Sequence, residues 1–175
     1  MDFEVRRVRA DEWPALRELR LRALLDAPLA FGSTYAREAA FDDAVWIERA
    51  RGGATDEDRA TFVAAHDGGP VVPATGLVAL ATGLANDPSA GEGSLVGMFV
   101  APEVRGRGLG DALVASVASW AYSRGLRGIE LWVTETNDHA IALYRRHGFQ
   151  DTNDRAPLDH TPSLMERRMT RSLLP

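Results

Sequence analysis

A single mixed α/β domain is the fold class that the sequence predicts, and three observations support it. Strand-like segments, in which apolar and polar residues alternate, are interleaved with segments whose apolar residues recur at helical spacing. No repeat, low-complexity tract or linker divides residues 1–175, and a chain of this length buries roughly two-thirds of its unfolded surface in one core. Near the middle of the chain, an apolar strand runs directly into a glycine-rich turn and a helix, which is the order that joins neighbouring parallel strands. We therefore expect a mixed central β-sheet flanked by helices.

The first half of the chain predicts a strand, two helices and a β-hairpin. Pro14 stands in the first turn of the first helix, where its missing N–H is tolerated. The hairpin turn is expected at "DGGP", residues 67–70. In chain order these elements are a strand (3–8), a helix (11–25), a second helix (37–50) and the two hairpin strands (61–66 and 74–84). The polar stretches 51–59 and 84–93 are expected to be loops.

The second half predicts strands that alternate with helices. The longer helix has one apolar face and ends at Gly125, because glycine readily takes the left-handed conformation that closes a helix. In chain order the elements are a strand (93–100), a helix (108–124), a strand (128–133), a shorter helix (137–147) and a last strand within 163–171. Parallel pairing is expected around the longer helix, and a short strand-like segment is expected at residues 149–150.

Composition excludes several classes of function. The formal net charge of −5 argues against a nucleic-acid-binding protein with a broad basic surface. The absence of cysteine excludes disulfides, thiolate metal sites and a cysteine nucleophile. The four histidines lack the spacing of a metal site, so no metal is expected. No apolar run has the length of a membrane span and no signal peptide is recognised, which favours a cytoplasmic protein without a membrane partner.

The six residues "RGRGLG", from Arg105 to Gly110, are typical of an anion-binding turn. A strand that enters a glycine-rich turn and then a helix brings free backbone N–H groups and the positive end of the helix dipole to one place. A P-loop nucleotide site is excluded because it needs a lysine, and all 20 basic residues of this chain are arginine. A dinucleotide fingerprint is disfavoured because Asp111 stands where its third glycine belongs. A turn with two solvated arginines and no ligand is the remaining alternative.

Two motifs in this order resemble those of the GNAT superfamily of N-acetyltransferases. The turn fits the pattern (Q/R)-x-x-G-x-(G/A) and follows "MFVAPEV", as the acetyl-CoA loop of that family does. Further along, "TNDHAIALYRRHGF" (136–149) is similar to the family's second cofactor segment. The resemblance is clear from residue 95 to residue 149. It implies a GNAT-type α/β fold, with a mixed central sheet that is splayed at the cofactor site, and acetyl-CoA as co-substrate.

The resemblance also implies which residues bind the cofactor. Main-chain groups of the strand before the turn would bind the pantetheine arm, and the N–H groups of the turn would hold the pyrophosphate. Asn137 would contact the cofactor from the second segment, although an asparagine at this place is equally suited to cap the following helix. The implied cofactor-binding residues are Met98, Phe99, Val100, Arg105, Gly106, Arg107, Gly108, Leu109, Gly110 and Asn137.

The same resemblance implies that Tyr144 is the general acid. Tyr144 follows Asn137 by two helical turns and therefore lies on the same helix face. Its hydroxyl would donate a hydrogen bond or a proton to the departing CoA thiolate, and the alternative is a core tyrosine. Because there is no cysteine and no Ser/His/Asp arrangement, we expect direct attack of a neutral amine on the thioester. Glu92, which shares a strand face with Ser94, is a candidate base, and a solvated loop glutamate is the alternative.

Transfer of an acetyl group from acetyl-CoA to a primary amine is the function that these residues and the resemblance predict. By resemblance, the acceptor pocket would be built from residues 27–41 and 151–163. The side chains that could shape it are Phe31, Tyr35, Glu38 and Asp42, and the alternatives are core packing for the two aromatic residues and solvation for the two acidic ones. The acceptor could be a small molecule or a protein N-terminus, and a homodimer is an open alternative to a monomer. The alternative functions are a non-catalytic acyl-CoA-binding sensor of the same fold and, from another class, a nicotinamide dinucleotide enzyme.

Overall fold

The computed structural model describes residues 3–66, 76–87 and 89–174. The helices are α1 (Trp13–Asp26), α2 (Tyr35–Ala39), α3 (Asp43–Thr55), α4 (Leu109–Ser123) and α5 (Asp138–Arg146). The strands are β1 (Phe3–Arg7), β2 (Arg59–His66), β3 (Leu77–Asp87), β4 (Glu92–Val100), β5 (Gly128–Thr134), β6 (Gln150–Leu158) and β7 (Thr161–Ser172). The expected hairpin turn at residues 67–70 lies outside the described residues.

The seven strands form one sheet in the order β1-β2-β3-β4-β5-β7-β6. Neighbouring strands are antiparallel except β4 and β5, which are parallel as expected for strands joined by α4. One face of the sheet is covered by α4, whose Leu113 and Val117 are fully buried, and α1 and α3 pack against β3 and β2. The prediction of a mixed sheet flanked by helices is confirmed.

The parallel strands β4 and β5 are paired only where they begin. Residues 92–94 pair with residues 128–130, and no later pair joins these two described strands. Opposite β3, the register of β4 shifts between Val96 and Phe99, and Gly97 takes a φ of +65° there. This bulge bends the second half of β4, which is the usual effect of an extra residue in one strand. The sheet is therefore splayed between the C-terminal ends of β4 and β5, as the resemblance implied.

The second predicted helix has the wrong boundaries. Residues 37–50 are divided between α2 and α3 by a short break at residues 40–42, because Asp42 takes an extended conformation. The helix α3 then continues to Thr55, into the stretch expected to be a loop. Gly53 makes this continuation compatible with the sheet, since a Cβ there would lie 2.6 Å from the Thr61 hydroxyl oxygen on β2.

Two further segments differ from the prediction. β3 extends to Asp87 and β4 begins at Glu92, so the connection inside 84–93, which was expected to be a loop, is short. The strand-like segment expected at 149–150 is the start of a longer strand, because residues 150–158 form β6, which pairs with β7 as a C-terminal hairpin. β6 is the edge strand of the sheet and most of its residues are exposed or half-buried. Its polar sequence therefore lacks the apolar alternation of a strand with one buried face.

Candidate active site

The gap between β4 and β5 leaves main-chain groups of β4 without a strand partner. The Ala101 N–H donates to the Val78 carbonyl of β3 at 2.9 Å, and Phe99 continues this antiparallel pairing. Because main-chain groups alternate between the two sides of a strand, those of Phe99 face β3 and those of Val100 face the gap. The Val100 carbonyl accepts a hydrogen bond from Arg105 Nε at 3.0 Å. Of the three residues predicted on this strand, Val100 presents its backbone to the opening, Phe99 does not, and Met98 lies at the bulge.

The turn after β4 is open on the side from which a ligand would approach. Gly106 and Gly108 have φ values of +76° and +77°, and no described atom lies within 4 Å of the place where a Cβ would stand on either. Gly108 is the N-cap of α4 and no side chain caps this helix. The N–H groups of the first turn, including those of Leu109 and Gly110, consequently lack intrahelical acceptors. Together with the helix dipole, these donors can bind an anion.

The two arginines of the turn have different surroundings. Arg105 binds the Val100 carbonyl and pairs with Asp26 at the end of α1, so its guanidinium holds protein segments together. Arg107 is exposed, lies 5.8 Å from the Phe3 ring, and makes no hydrogen bond or ion pair with another described residue. Arg107 is therefore the arginine of this turn that is available to an anionic ligand.

Contacts between α4 and α5 position the tyrosine helix beside the turn. A Cβ on Gly110 would lie 3.2 Å from the Leu143 side chain, so glycine permits close approach of α5 at this point. Asp111 is 3.1 Å from Arg146 and 3.0 Å from His147. Partial burial alone would raise the pKa of Asp111, but hydrogen bonds from His147 and Arg146 outweigh it and lower the pKa below its usual value. The ion pairs attach the end of α5 to the first turn of α4.

Tyr144 is a buried residue of α5 with an unpaired hydroxyl. Its side chain packs edge-on against Phe149, with the ring centroids 5.8 Å apart, and the residue is 6% exposed. The hydroxyl makes no hydrogen bond with another described residue. Burial raises the pKa of Tyr144 above the ordinary range, so the hydroxyl stays protonated at neutral pH. It is thus a hydrogen-bond donor without a protein acceptor.

Asn137 caps α5, which was the alternative to a cofactor contact in the sequence. Its Oδ1 accepts a hydrogen bond from the Ala140 N–H at 3.2 Å. Its side-chain NH2 group donates to no other described residue. The capping role leaves this group available to a ligand.

The structure does not bring Glu92 to the other predicted site residues. Glu92 is the first residue of β4 and is exposed, at the end where β4 and β5 are still paired. The distance from Glu92 to Met98 along an extended strand is about 20 Å. Ser94, on the same face, exchanges hydrogen bonds of 2.7 and 2.9 Å with the Asn86 side chain. Neither side chain lies at the splayed end of the sheet.

A cleft of about 980 Å³ opens on the sheet face that carries α1 and α3, and it reaches the bulge at Gly97. Its walls include the apolar side chains of Leu16, Phe31, Trp46, Leu80, Val96 and Trp132. The charged residues that line it are Arg20, Glu48, Arg49, Arg59 and Glu166. Of the four side chains expected to shape an acceptor pocket, only Phe31 lines this cleft. Tyr35 and Asp42 are exposed outside it.

Glu38 is a buried residue that binds two of the arginines lining this cleft. It is 2% exposed, and its two oxygens lie 2.7 Å from Arg20 and 2.8 Å from Arg49. Burial alone would raise the pKa of Glu38, but the hydrogen bonds and charges of Arg20 and Arg49 outweigh it and lower the pKa to about 2. Glu38 is therefore a permanently ionised structural residue that orients the two arginines.

Glu166 is a residue of the cleft that sequence reasoning missed. It lies on β7 opposite Thr134, the last residue of β5. Nothing in the local pattern "SLMERRMTR" indicates that this carboxylate faces a cleft, because the face depends on the register with β5.

In the described part of the chain, no group of three or more His, Cys, Asp or Glu side chains could hold a metal ion. None of the described helices has the length and apolarity that a membrane span requires.

Comparisons with curated proteins give short matches. An uncharacterized N-acetyltransferase of Methanocaldococcus jannaschii is 46% identical over 54 residues, which are 31% of this chain and 24% of that protein. A mycothiol acetyltransferase of Arthrobacter sp. is 40% identical over 62 residues, which are 35% of this chain and 19% of that protein. The match therefore spans less than a quarter of the length of these relatives.

Comparisons with solved structures cover nearly the whole chain. A phosphinothricin acetyltransferase from Sinorhizobium meliloti, solved with AcCoA, has the same fold at a TM-score of 0.77 and 20% identity, over 98% of this chain and 89% of that chain. A GCN5-related N-acetyltransferase from Kribbella flavida matches at a TM-score of 0.68 and 27% identity, over 97% of both chains. A profile of the acetyltransferase (GNAT) family matches residues 13–149, well over half of the sequence. The chain therefore belongs to the acetyltransferase (GNAT) family.

Proposed function

We propose that the protein transfers an acetyl group from acetyl-CoA to a primary amine. The observation that carries the proposal is that the gap in the sheet, the open glycine turn and the uncapped start of α4 lie side by side. An extended pantetheine arm requires a strand edge with unpaired main-chain groups, and a pyrophosphate requires clustered N–H donors. Both requirements are met at the C-terminal end of β4, and family membership supports acetyl-CoA as the acyl donor.

The predicted binding residues contribute in different ways. The main chain of Val100 and the bulge at Met98 hold the pantetheine arm, while Phe99 acts indirectly by anchoring β4 to β3. The Arg105 N–H, predicted as a donor, is bonded to the Pro102 carbonyl at 3.3 Å, so the N–H groups from Gly106 to Gly110 hold the pyrophosphate. Arg107 adds a charge-assisted contact to a phosphate oxygen. The side-chain NH2 of Asn137 contacts the cofactor from α5.

The reaction proceeds by direct transfer between two bound substrates. The neutral amine attacks the thioester carbonyl carbon, a C–N bond forms, the C–S bond breaks, and the sulfur departs as a thiolate. The proton that the nitrogen loses passes through water to this thiolate. The Tyr144 hydroxyl donates a hydrogen bond to that sulfur. Because burial raises the pKa of Tyr144, hydrogen bonding to the thiolate is favoured over complete proton transfer. Binding both substrates side by side supplies much of the rate enhancement.

Calorimetry and a thiol assay test the proposal with one matched pair of variants. We expect micromolar binding of acetyl-CoA and release of free CoA when a panel of primary amines is added. Gly108→Asp should abolish binding, because it places a negative charge against the pyrophosphate. Gly125→Asp is the control, since Gly125 has the same φ of +77° and equally open space at the other end of α4.

The outcomes separate the alternatives. Binding of acetyl-CoA without CoA release for any amine would favour the non-catalytic sensor. Unchanged affinity in Gly108→Asp, or equal loss in both variants, would contradict the assignment of the turn.

A further inference from the structure

Glu166 lies at the end of β5 where the sheet is splayed. Its partner in the register is Thr134, the last residue of β5, whereas Glu92 is paired with Gly128, the first. The side chain of Glu166 lines the cleft together with Gly97, the residue of the β4 bulge, and Trp132. This carboxylate therefore stands on the acceptor side of the sheet, close to the point where the gap opens into the cleft.

Glu166 is not ion-paired within the described part of the protein, although the nearby His160 acts on its charge. It makes no hydrogen bond or ion pair there, whereas Arg168, which lies two residues further on the same face, binds Glu130 at 2.5 Å. Burial raises the pKa of Glu166, the nearby charge of Asp159 raises it further, and His160 opposes the shift. A half-buried carboxylate without an ion-pair partner is unfavourable, and a ligand ammonium group would relieve this cost.

The other charged groups of the cleft disfavour a second ammonium group. Glu48, the other carboxylate among the described lining residues, is already paired with Arg51 at 2.7 Å. Arg20 and Arg49 present guanidinium groups that Glu38 holds in place. A ligand with several positive charges would therefore meet repulsion away from Glu166.

The remaining walls suit an apolar substituent. Arg59 also lines the cleft, and its guanidinium makes no hydrogen bond or ion pair with another described residue. The cleft exposes apolar side chains as well, and Val96 and Trp132 are 40% and 41% exposed. Exposed aromatic and aliphatic side chains in a concave site gain free energy by burial against an apolar ligand.

We propose that Glu166 binds the acceptor in its ammonium form, which releases a proton to water before the neutral amine attacks, and that the acceptor is a monoamine with an apolar body and not a polycation. The proposal rests on the acetyl transfer proposed above, because it names the acceptor of that same reaction. It adds the residue that recognises the amine and the chemical class of the substrate.

Kinetics with four amines test both parts. With 2-phenylethylamine and hexylamine as acceptors, we expect kcat/KM to exceed the values for spermidine and kanamycin by at least about tenfold, which is the effect of one unfavourable charge contact. Glu166→Gln should lower kcat/KM for the monoamines about 100-fold, mainly through a higher KM, because it removes the charge and keeps the shape. Glu166→Asp keeps the charge and should therefore retain part of the kcat/KM that Glu166→Gln loses. Glu57→Gln, whose side chain is 84% exposed at a distant loop, is the matched control.

The affinity of each variant for acetyl-CoA, measured by calorimetry, reports whether the fold and the cofactor site are intact. An unchanged affinity together with a raised KM for the amine supports the proposal. Wild-type kinetics for Glu166→Gln, or a preference for spermidine or kanamycin, would overturn it while leaving acetyl transfer intact. CoA release with none of the amines, despite acetyl-CoA binding, would overturn the transfer reaction and this inference together.

Discussion

At the scale of single residues, Tyr144 combines a packed ring with a hydroxyl that has no protein partner. Its ring packs on Phe149 in the core, while its hydroxyl has no acceptor among the described residues. The raised pKa of Tyr144 keeps the proton on the oxygen, so in the proposed reaction the group would donate a hydrogen bond to the leaving sulfur at any assay pH near neutrality.

Tyr144→Phe should lower kcat roughly 10- to 100-fold and leave acetyl-CoA affinity unchanged, because it removes the hydroxyl and retains the ring. The measurement is steady-state CoA release combined with calorimetry. Tyr122→Phe is the control, since Tyr122 is 64% exposed on α4 and should behave as wild type. Equal kcat values for Tyr144→Phe and the wild type would exclude Tyr144 from the chemical step.

At the scale of elements, two ion pairs of the buried residue Glu38 connect the helices α1, α2 and α3. Glu38 on α2 binds Arg20 on α1 and Arg49 on α3, and all three lie behind or within the cleft wall. Arg20 also lies over the Phe31 ring at 4.7 Å, so the same contact orders the loop between α1 and α2. The shape of the proposed acceptor cleft therefore depends on one ionised carboxylate.

Glu38→Gln should destabilise the protein by about 3 kcal/mol at pH 7, which is the value of lowering a carboxyl pKa from 4.5 to about 2. Because the pKa of Glu38 is lowered in the folded state, its stabilisation is complete above pH 4.5 and is lost as the pH falls toward 2. The difference between variant and wild type should thus shrink by more than half at pH 3. Urea unfolding at pH 7 and pH 3 measures this difference in the free energy of unfolding.

Glu48→Gln is the control for this experiment. The Glu48–Arg51 pair is exposed on both sides, at 55% and 59%, so its loss should change the free energy of unfolding by less than about 0.5 kcal/mol. A Glu38→Gln difference that is the same at pH 7 and pH 3 would contradict the ionised role of Glu38.

At the scale of the whole molecule, the lack of lysine limits what the protein can do to itself. All 20 basic residues are arginine, whose guanidinium does not lose its proton near neutral pH. The only amine of a polypeptide with this sequence is its N-terminus, which lies outside the described residues. With a pKa of about 8, roughly one-tenth of this amine is neutral at pH 7.

Incubation with acetyl-CoA and no acceptor should therefore add at most one acetyl group to the intact chain. Intact-mass spectrometry measures the number, and peptide mapping should place any group at the N-terminus. Heat-denatured protein under the same conditions controls for uncatalysed acetylation. Two or more stable acetyl groups would indicate transfer to hydroxyl oxygen and would contradict the N-acetyltransferase assignment.

Local sequence was sufficient to predict the strand, turn and helix that form the proposed cofactor side of the site. The strand end, the glycine turn and the start of α4 are contiguous in the chain, and glycine has a conformational requirement at positive φ that is visible at Gly106 and Gly108. The capping of α5 by Asn137 and the placement of Tyr144 on the same helix follow from helical periodicity. The parallel pairing of β4 and β5 follows from the handedness of the connection through α4. Each of these features depends on neighbours in sequence or on a general rule of chain connection.

The acceptor side was decided by tertiary structure alone. Glu166 faces the cleft because β7 pairs with β5 in one register, and a shift by one residue would turn it to the other face. Glu38 reads as a solvated helix residue in the sequence, and only the packing of α1, α2 and α3 buries it between two arginines. Glu92 precedes the turn closely in sequence, but an extended strand carries it to the opposite end of the sheet. The sequence by itself thus determined the family and the loop proposed to bind acetyl-CoA, whereas the proposed amine side depends on contacts between distant segments, for which no local periodicity exists.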